Sequence, residues 1–352
     1  MRNAMKMSRH MQFTQGPKRV HSGFSLVELM ISITLGLMVL TALAAIFANT
    51  STTRSELERV HEQIDNARYA VDVLSQDLQL AGYYGELAVS GLPVPGALPD
   101  PCALTPADWS SAIPIAVQGY DEGAGVPACV PGSLKAGTDV VVVRRLRPCI
   151  AGAASCDPVV ATEPYMQVAL CSSSATPYKA DVGGGGAFTL TQKDCATPAG
   201  LRRYQLSIYF ISNDNGAGVN VPTLKRLDFN GATFTETPLV EGIERLHVEY
   251  GLDTNGDGSP DAYTSDPTNF TYAGCTTCTA SNNWSNAMTA KIYVLARTLE
   301  ASAGFTDNKT YQLGLAADGT VVTAGPFNDG FRRHVYSAAV RLMNPSGRRD
   351  TP

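Results

Sequence analysis

Three groups of residues have the types and spacing that chemistry requires. Glu28 is the only charged residue between Phe24 and Ala48, a setting in which an ionised side chain costs about 2.5–3.5 kcal/mol even on lenient membrane-insertion scales. A charge kept at that cost needs a partner that offsets it. Asp253, Asn255, Asp257, Ser259 and Asp261 place oxygen-bearing side chains at alternate positions, with Gly258 sixth from Asp253. Alternating oxygens around such a glycine form the first half of a calcium loop. Eight cysteines, Cys102, Cys129, Cys149, Cys156, Cys171, Cys195, Cys275 and Cys278, all lie beyond the apolar run. An even number in that position is the signature of disulfides in an oxidising compartment.

Each group also has a plainer reading. The twelfth loop position is Thr264 rather than a bidentate glutamate, with Asp266 as the nearest substitute, and Asn, Asp and Gly dominate turns that hold no metal. Mutual repulsion of Asp253, Asp257 and Asp261 favours calcium, with Asn255 as a further side-chain ligand and Ser259 offering its carbonyl. Eight cysteines allow about 105 connectivities, so spacing alone selects none; pairing between sequence neighbours is the expectation. Cys275 and Cys278 lack both the second pair that zinc requires and a thioredoxin-like context. The five histidines, His10, His21, His61, His247 and His334, accompany no nucleophile elbow, zinc-protease or phosphate-loop pattern. No catalytic set emerges, and a structural protein is expected rather than an enzyme. A net charge of −5 gives no electrostatic footprint for nucleic acid.

These residues need elements to position them. The run from Phe24 to Ala48 exceeds the ~20 apolar residues that span a bilayer. Arg2, Lys6, Arg9, Lys18 and Arg19 precede it, while Arg54 and Arg59 after it are mixed with Glu56, Glu58 and Glu62. That bias puts the N-terminus in the cytoplasm and the rest in the periplasm. Leu57, Val60, Ile64, Ala67, Val71, Leu74, Leu78 and Ala81 follow at alternating steps of three and four, a helical stripe. No proline or glycine interrupts residues 37–81, so span and stripe can form one helix on the order of 85 Å long, ended by Gly82 and Gly85. Residues 91–131 hold eight prolines and read as loops stapled by cysteines. Strands are expected over 139–144, 201–212, 223–228, 245–252, 291–299 and 334–343. In the fourth, Leu246, Val248, Tyr250 and Leu252 take one face, His247 and Glu249 the other. Gly183 to Gly186 reads as a mobile loop before a strand, without the helix that a phosphate cradle requires.

Gly23-Phe24-Ser25-Leu26-Val27-Glu28-Leu29-Met30 resembles the type IV prepilin cleavage and methylation motif. The resemblance implies that prepilin peptidase cuts after Gly23 and methylates Phe24. It also implies that Glu28 pairs with a neighbouring subunit's N-terminal amine. Asp77 to Gly85, Val240 to Leu246 leading into Tyr250 to Asp253, and Arg332 to Ser337 with Val340 to Leu342 resemble the PilW family of minor pilins. Residues 91–197 match nothing in that pattern. The implied fold is α+β and pilin-like, with the latter half of the long helix on an antiparallel sheet. Its divisions are a leader (1–23), a membrane or filament-core helix (24–51), an amphipathic helix (52–85) and a disulfide-containing β-rich domain (86–352). The implied role is priming pilus assembly and capping or joining the tip complex. Implied partners are other minor pilins, the major pilin, prepilin peptidase, the inner-membrane assembly machinery and a tip adhesin. A minor pseudopilin of a type II secretion system is the nearest alternative. A membrane-tethered periplasmic enzyme or binding domain is the alternative of another class. The mature chain is expected to begin at an N-methylated Phe24, which N-terminal sequencing and intact mass would check; an uncut leader in cells with active peptidase would refute the motif.

Overall fold

Val140 to Val143 are four β-branched residues with no polar alternation, a pattern that suits a strand buried on both faces. The computed structural model, which describes residues 23–276 and 278–349, places them in such a strand. The expected leader, up to residue 22, lies outside the described residues. The chain divides into two units, Met1–Ser55 and Glu56–Pro352, and helix α1 (Leu26–Leu80) contributes to both. From Leu29 to Ala48 α1 carries no charged residue. Its most apolar 18-residue window has a mean hydropathy of 2.4, and its large apolar side chains from Leu26 to Phe47 are at least 53% exposed.

The second unit contains three antiparallel sheets. Sheet one holds β1 (Val117–Tyr120), β2 (Val140–Ile150), β3 (Pro164–Val168), β4 (Tyr178–Val182), β5 (Leu201–Ser212), β6 (Thr223–Phe229) and β7 (Phe234–Glu241). Its order is β1-β2-β5-β3-β4, with β6 beside the other end of β5 and β7 beyond β6. Sheet two comprises β8 (Ile243–Leu252), β9 (Ala262–Thr264), β10 (Ala287–Arg297) and β13 (Arg333–Arg341), ordered β13-β10-β8-β9. A hairpin of β11 (Tyr311–Leu315) and β12 (Val321–Ala324) forms the third.

Both faces of sheet one are covered, which explains its unbroken apolar runs. Val141, Val143, Tyr209 and Ile211 join Leu246, Val248, Tyr250 and Ile292 of sheet two in a core closed by α1. Val140, Val142, Leu206, Ile208 and Phe210 point the other way, into a second core with Trp109. Helix α2 (Pro106–Ser111) supplies that tryptophan. Its N-terminus carries a Thr105/Asp108 capping box with Pro106 in the first turn, a favoured way to start a helix. Trp109 stacks on Tyr204 at 6.0 Å and meets Phe229 edge-on at 5.2 Å.

The buried face of α1 is Gln63, Ala67, Ala70, Leu74, Asp77 and Leu78. This is rotated from the expected stripe. Leu57 is 55% exposed, while Val60, Ile64 and Val71 lie at the margins. The shift has a physical cause, because Ala67 and Ala70 are fully covered and small enough for sheet backbones to approach closely. Two polar residues fix the helix there. The Gln63 side-chain amide donates to the Ala296 carbonyl at 2.7 Å. Asp77 accepts from Arg145 at 2.6 Å and from the Tyr209 hydroxyl at 2.9 Å. The helix stops at Leu80, followed by Gly82 with φ +70°, a conformation that disfavours side chains bearing a Cβ.

Gly242 is where the chain passes from β7 of sheet one to β8 of sheet two. Its φ is +81°, and a Cβ there would lie 2.8 Å from the Arg297 carbonyl oxygen. Strands β1, β3, β4, β7, β9, β11 and β12 lie outside the sequence-expected set. The Gly183 to Gly186 turn follows β4 rather than preceding a strand. Filling the close contact with Ala67→Leu should cost about 1–3 kcal/mol by overpacking, whereas Leu57→Ala should change stability by less than about 0.5 kcal/mol. Urea unfolding of both variants would check this; the reverse order would restore the unrotated stripe.

Candidate functional site

Gly23 to Ser25 lie ahead of α1 and are exposed, Phe24 by 82%. Glu28 sits in the first turn, and its carboxylate accepts the Ser25 N–H at 3.4 Å. This is the return half of a capping box, and the helix N-terminus favours an anion there. Local sequence therefore gives a carboxyl group a place at the start of the apolar helix. The single bond is long and exposed, so acceptor capacity remains for another donor.

The acidic loop follows β8. Asp253 is fully buried, and both of its oxygens are engaged. Oδ1 accepts from the Asn255 and Gly256 N–H groups at 3.2 and 2.6 Å, and Oδ2 from the Gly258 N–H at 2.9 Å and Arg349 at 3.1 Å. Burial opposes its ionisation, but the Gly258 and Gly256 N–H groups and Arg349 outweigh burial and hold the carboxyl below its usual range. The Asn255 side-chain amide donates to Asp257 at 3.1 Å and Asp261 at 3.3 Å. Ser259 gives its N–H to Asp257, and Thr254 donates twice to Asp261. Asp266 caps the turn Pro267–Asn269. As arranged, the loop is a series of Asx turns locked by Arg349. Calcium would have to displace that guanidinium and the Asn255 amide.

The segment Arg332-Arg333-His334 contributes a buried knot that sequence reasoning did not resolve. The Arg333 side chain is fully buried. It pairs with Glu244 of β8, with Asp307 at 3.0 Å and with Asp329 at 2.6 Å, and it lies 3.7 Å from the Phe327 ring centre. Burial opposes its charge, yet Asp329 and Glu244 more than offset this and raise its pKa. The knot binds β13 to β8 and to the segment around the β11–β12 hairpin. That hairpin also covers His247 and Glu249, the outer face of β8: the Leu315 N–H donates to Glu249 at 2.8 Å and the Leu315 carbonyl lies 3.1 Å from His247 Nε2.

The eight cysteines form four disulfides, Cys102–Cys129, Cys149–Cys156, Cys171–Cys195 and Cys275–Cys278. The first three staple the connections around β1 to β4. By the loop-entropy account, the pairs separated by 27 and 24 residues each contribute roughly 3 kcal/mol. The groove between α1 and edge strand β13 is lined by Arg68, Tyr69, Val71, Asp72, Tyr336 and Ser337. Among the described residues it brings together no nucleophile and base.

Comparison with known proteins bears on this arrangement. Residues 18–44 match the prokaryotic N-terminal methylation motif, which includes Gly23, Phe24 and Glu28. Together with the apolar start of α1 and the antiparallel sheets behind it, that match defines a membrane-anchored, type IV pilin-like protein of α+β fold. Residues 208–344 are similar to a further family, type IV pilus-assembly protein W, PilW, whose model they match. The match runs from β5 to the end of β13; residues 45–207, which include the Asp77 to Gly85 block, lie outside both. Among solved structures, a type IV-like pilin of Thermus thermophilus aligns at 13% identity with a TM-score of 0.30, over 80% of this chain and 97% of its own. A search of curated proteins finds no match.

Because the carboxylates of the acidic loop already have protein donors, millimolar calcium should leave the melting temperature within about a degree, whereas Arg349→Ala should cost about 1–3 kcal/mol by stranding buried Asp253. Thermal melts in chelator and in calcium would check both. A calcium-dependent rise that Asp257→Ala abolishes would return the loop to the cation reading.

Proposed function

We propose that the chain is a minor pilin of the PilW kind, a structural subunit that helps prime pilus assembly and caps or joins the tip complex. The observation that carries this reading is the segment of α1 from Leu26 to Phe47, whose apolar side chains are exposed in every direction. Such a surface needs a cover: lipid while the subunit is stored in the inner membrane, neighbouring helices once it enters a filament. The leader's lysines and arginines favour a cytoplasmic N-terminus and a periplasmic second unit, in keeping with disulfides in that unit.

In this reading prepilin peptidase cuts between Gly23 and Phe24 and methylates the new amine, whose charge methylation preserves. An α-amino group with a reference pKa near 8 is cationic at neutral pH. The Glu28 carboxylate of one subunit then meets the N-terminal amine of the next, and each offsets the burial of the other. The partners are the major pilin, the other minor pilins and the inner-membrane assembly machinery, with a tip adhesin beyond them. A position at the tip suits the elaborations between β1 and β5. Extra strands and stapled loops crowd a subunit that must repeat helically, but they are free at an end.

Glu28→Ala should insert into the membrane as well as wild type, because removing the carboxylate eases burial, yet enter filaments at least about tenfold less, the loss expected from a pairing worth ~1.4 kcal/mol or more. Blots of membrane fractions and sheared pili would decide it; wild-type incorporation would mean that charge pairing does not recruit the subunit. Mass spectrometry of the same pili should find the protein at a small fraction of the main subunit, and comparable abundance would refute a place at the tip.

A further inference from the structure

The register of β1 on β2 sets two carboxylates side by side. Tyr120 pairs with Val140, so the next residue along β1, Asp121, and the residue before β2, Asp139, flank the same end of the hairpin. Asp139 is also docked on β8 around His247: its N–H donates to the Leu246 carbonyl at 2.9 Å, and its Oδ2 accepts the Val248 N–H at 2.8 Å. One ligand atom from each of Asp121, Asp139 and His247 lies within 4.8 Å of the others. Asp139 and His247 are only 3% and 2% exposed.

The donors beyond these atoms are arranged as they are around a metal. The His247 Nε2 lies 3.1 Å from the Leu315 carbonyl. A carbonyl can only accept, so Nε2 carries a hydrogen and Nδ1 is the ring atom that faces the carboxylates. A ring N–H held by a backbone carbonyl is the usual support of a metal-bound imidazole. Ser265 holds Asp121 at 2.9 Å, and the Glu122 N–H holds Asp139 Oδ1 at 2.9 Å.

A second observation is independent of the clustering. Nδ1 of His247 has no hydrogen-bond partner among the described residues, although Asp139 Oδ2 is only 3.2 Å away. The distance suits an ion pair, but the direction does not suit a hydrogen bond. A separation of about 3.3 Å is what two ligands of one tetrahedral zinc adopt at bond lengths near 2.0–2.1 Å.

We propose that Asp121, Asp139 and His247 bind one first-row divalent cation, which fastens sheet one to sheet two. The imidazole selects zinc over calcium or magnesium, which favour oxygen-only shells. A water takes the remaining position. The site is structural, because Asp139 and His247 are buried, and it does not depend on the pilin reading.

The test uses the untagged full chain in detergent, stripped with chelator and dialysed against zinc or magnesium chloride. Wild type should retain one zinc per chain by mass spectrometry of the metal, and its melting temperature should rise several degrees with zinc but not with magnesium. Asp121→Asn and His247→Gln should keep a native circular dichroism spectrum and lose both effects. X-ray absorption of the zinc-loaded wild type, which needs no variant to fold, should show one imidazole with oxygen donors and no sulfur. Zinc well below one per chain, equal zinc in wild type and Asp121→Asn, or an absorption spectrum with two or more imidazoles would overturn the proposal, leaving His247 and Asp139 as an ion pair.

Discussion

Between Gln63 and Ala81, α1 presents one face to two sheets at once, and much of the second unit is arranged around that requirement. Ala67 and Ala70 bring the backbones close, and Leu74 and Leu78 then fill the space between sheets. Burying each leucine contributes roughly 1.5–3 kcal/mol. Leucines of this kind would stabilise several neighbouring helix rotations about equally. The polar residues choose among them. Gln63 reaches the Ala296 carbonyl of sheet two, while Asp77 reaches Arg145 and Tyr209 of sheet one. Breaking a buried pair such as Asp77 with Arg145 costs about 3–5 kcal/mol, more than shifting a leucine to the margin. The helix therefore settles with Asp77 inside and Leu57 outside.

A helix shared by two sheets demands that the sheets be fixed to one another. Gly242 lets the chain turn from β7 into β8 beside the Arg297 carbonyl. Asp139, at the start of β2, bonds the β8 backbone on both sides of His247. Arg333 ties β8 to β13 through Glu244 and gathers Asp307 and Asp329. These contacts lie at strand ends, where ladder hydrogen bonds run out and backbone groups need other partners. The region similar to PilW contains Gly242, Glu244 and Arg333, so the joint between sheets lies within that stretch.

The other part, residues 45–207, holds the first four strands, α2 and three of the disulfides. The second face of sheet one carries its own core, built on Trp109, Tyr204 and Phe229. Short strands and proline-rich connections bury little apolar surface per residue, and cross-links compensate by restricting the unfolded chain. That layer lies on the face of sheet one opposite the seat of α1.

Much of this was legible in the sequence. The prepilin-type motif, the apolar span, the helix end at Gly82 and the alternation of Leu246, Val248, Tyr250 and Leu252 are local patterns, set by side-chain type at fixed spacing. β5 was readable end to end because its residues face apolar cores for most of its length. What the sequence left open depended on residues distant along the chain. Burial of His247 and Glu249 requires a hairpin more than sixty residues later. The quiet packing of the acidic loop requires Arg349, 96 residues beyond Asp253. The short strands β3, β4, β11 and β12 have too few residues for a period to declare itself. Sequence fixes which faces are apolar and where the backbone must turn, because those are properties of neighbouring residues. Only the tertiary structure decides which charge meets which, because an ion pair depends on distance in space, and no period along the chain records it.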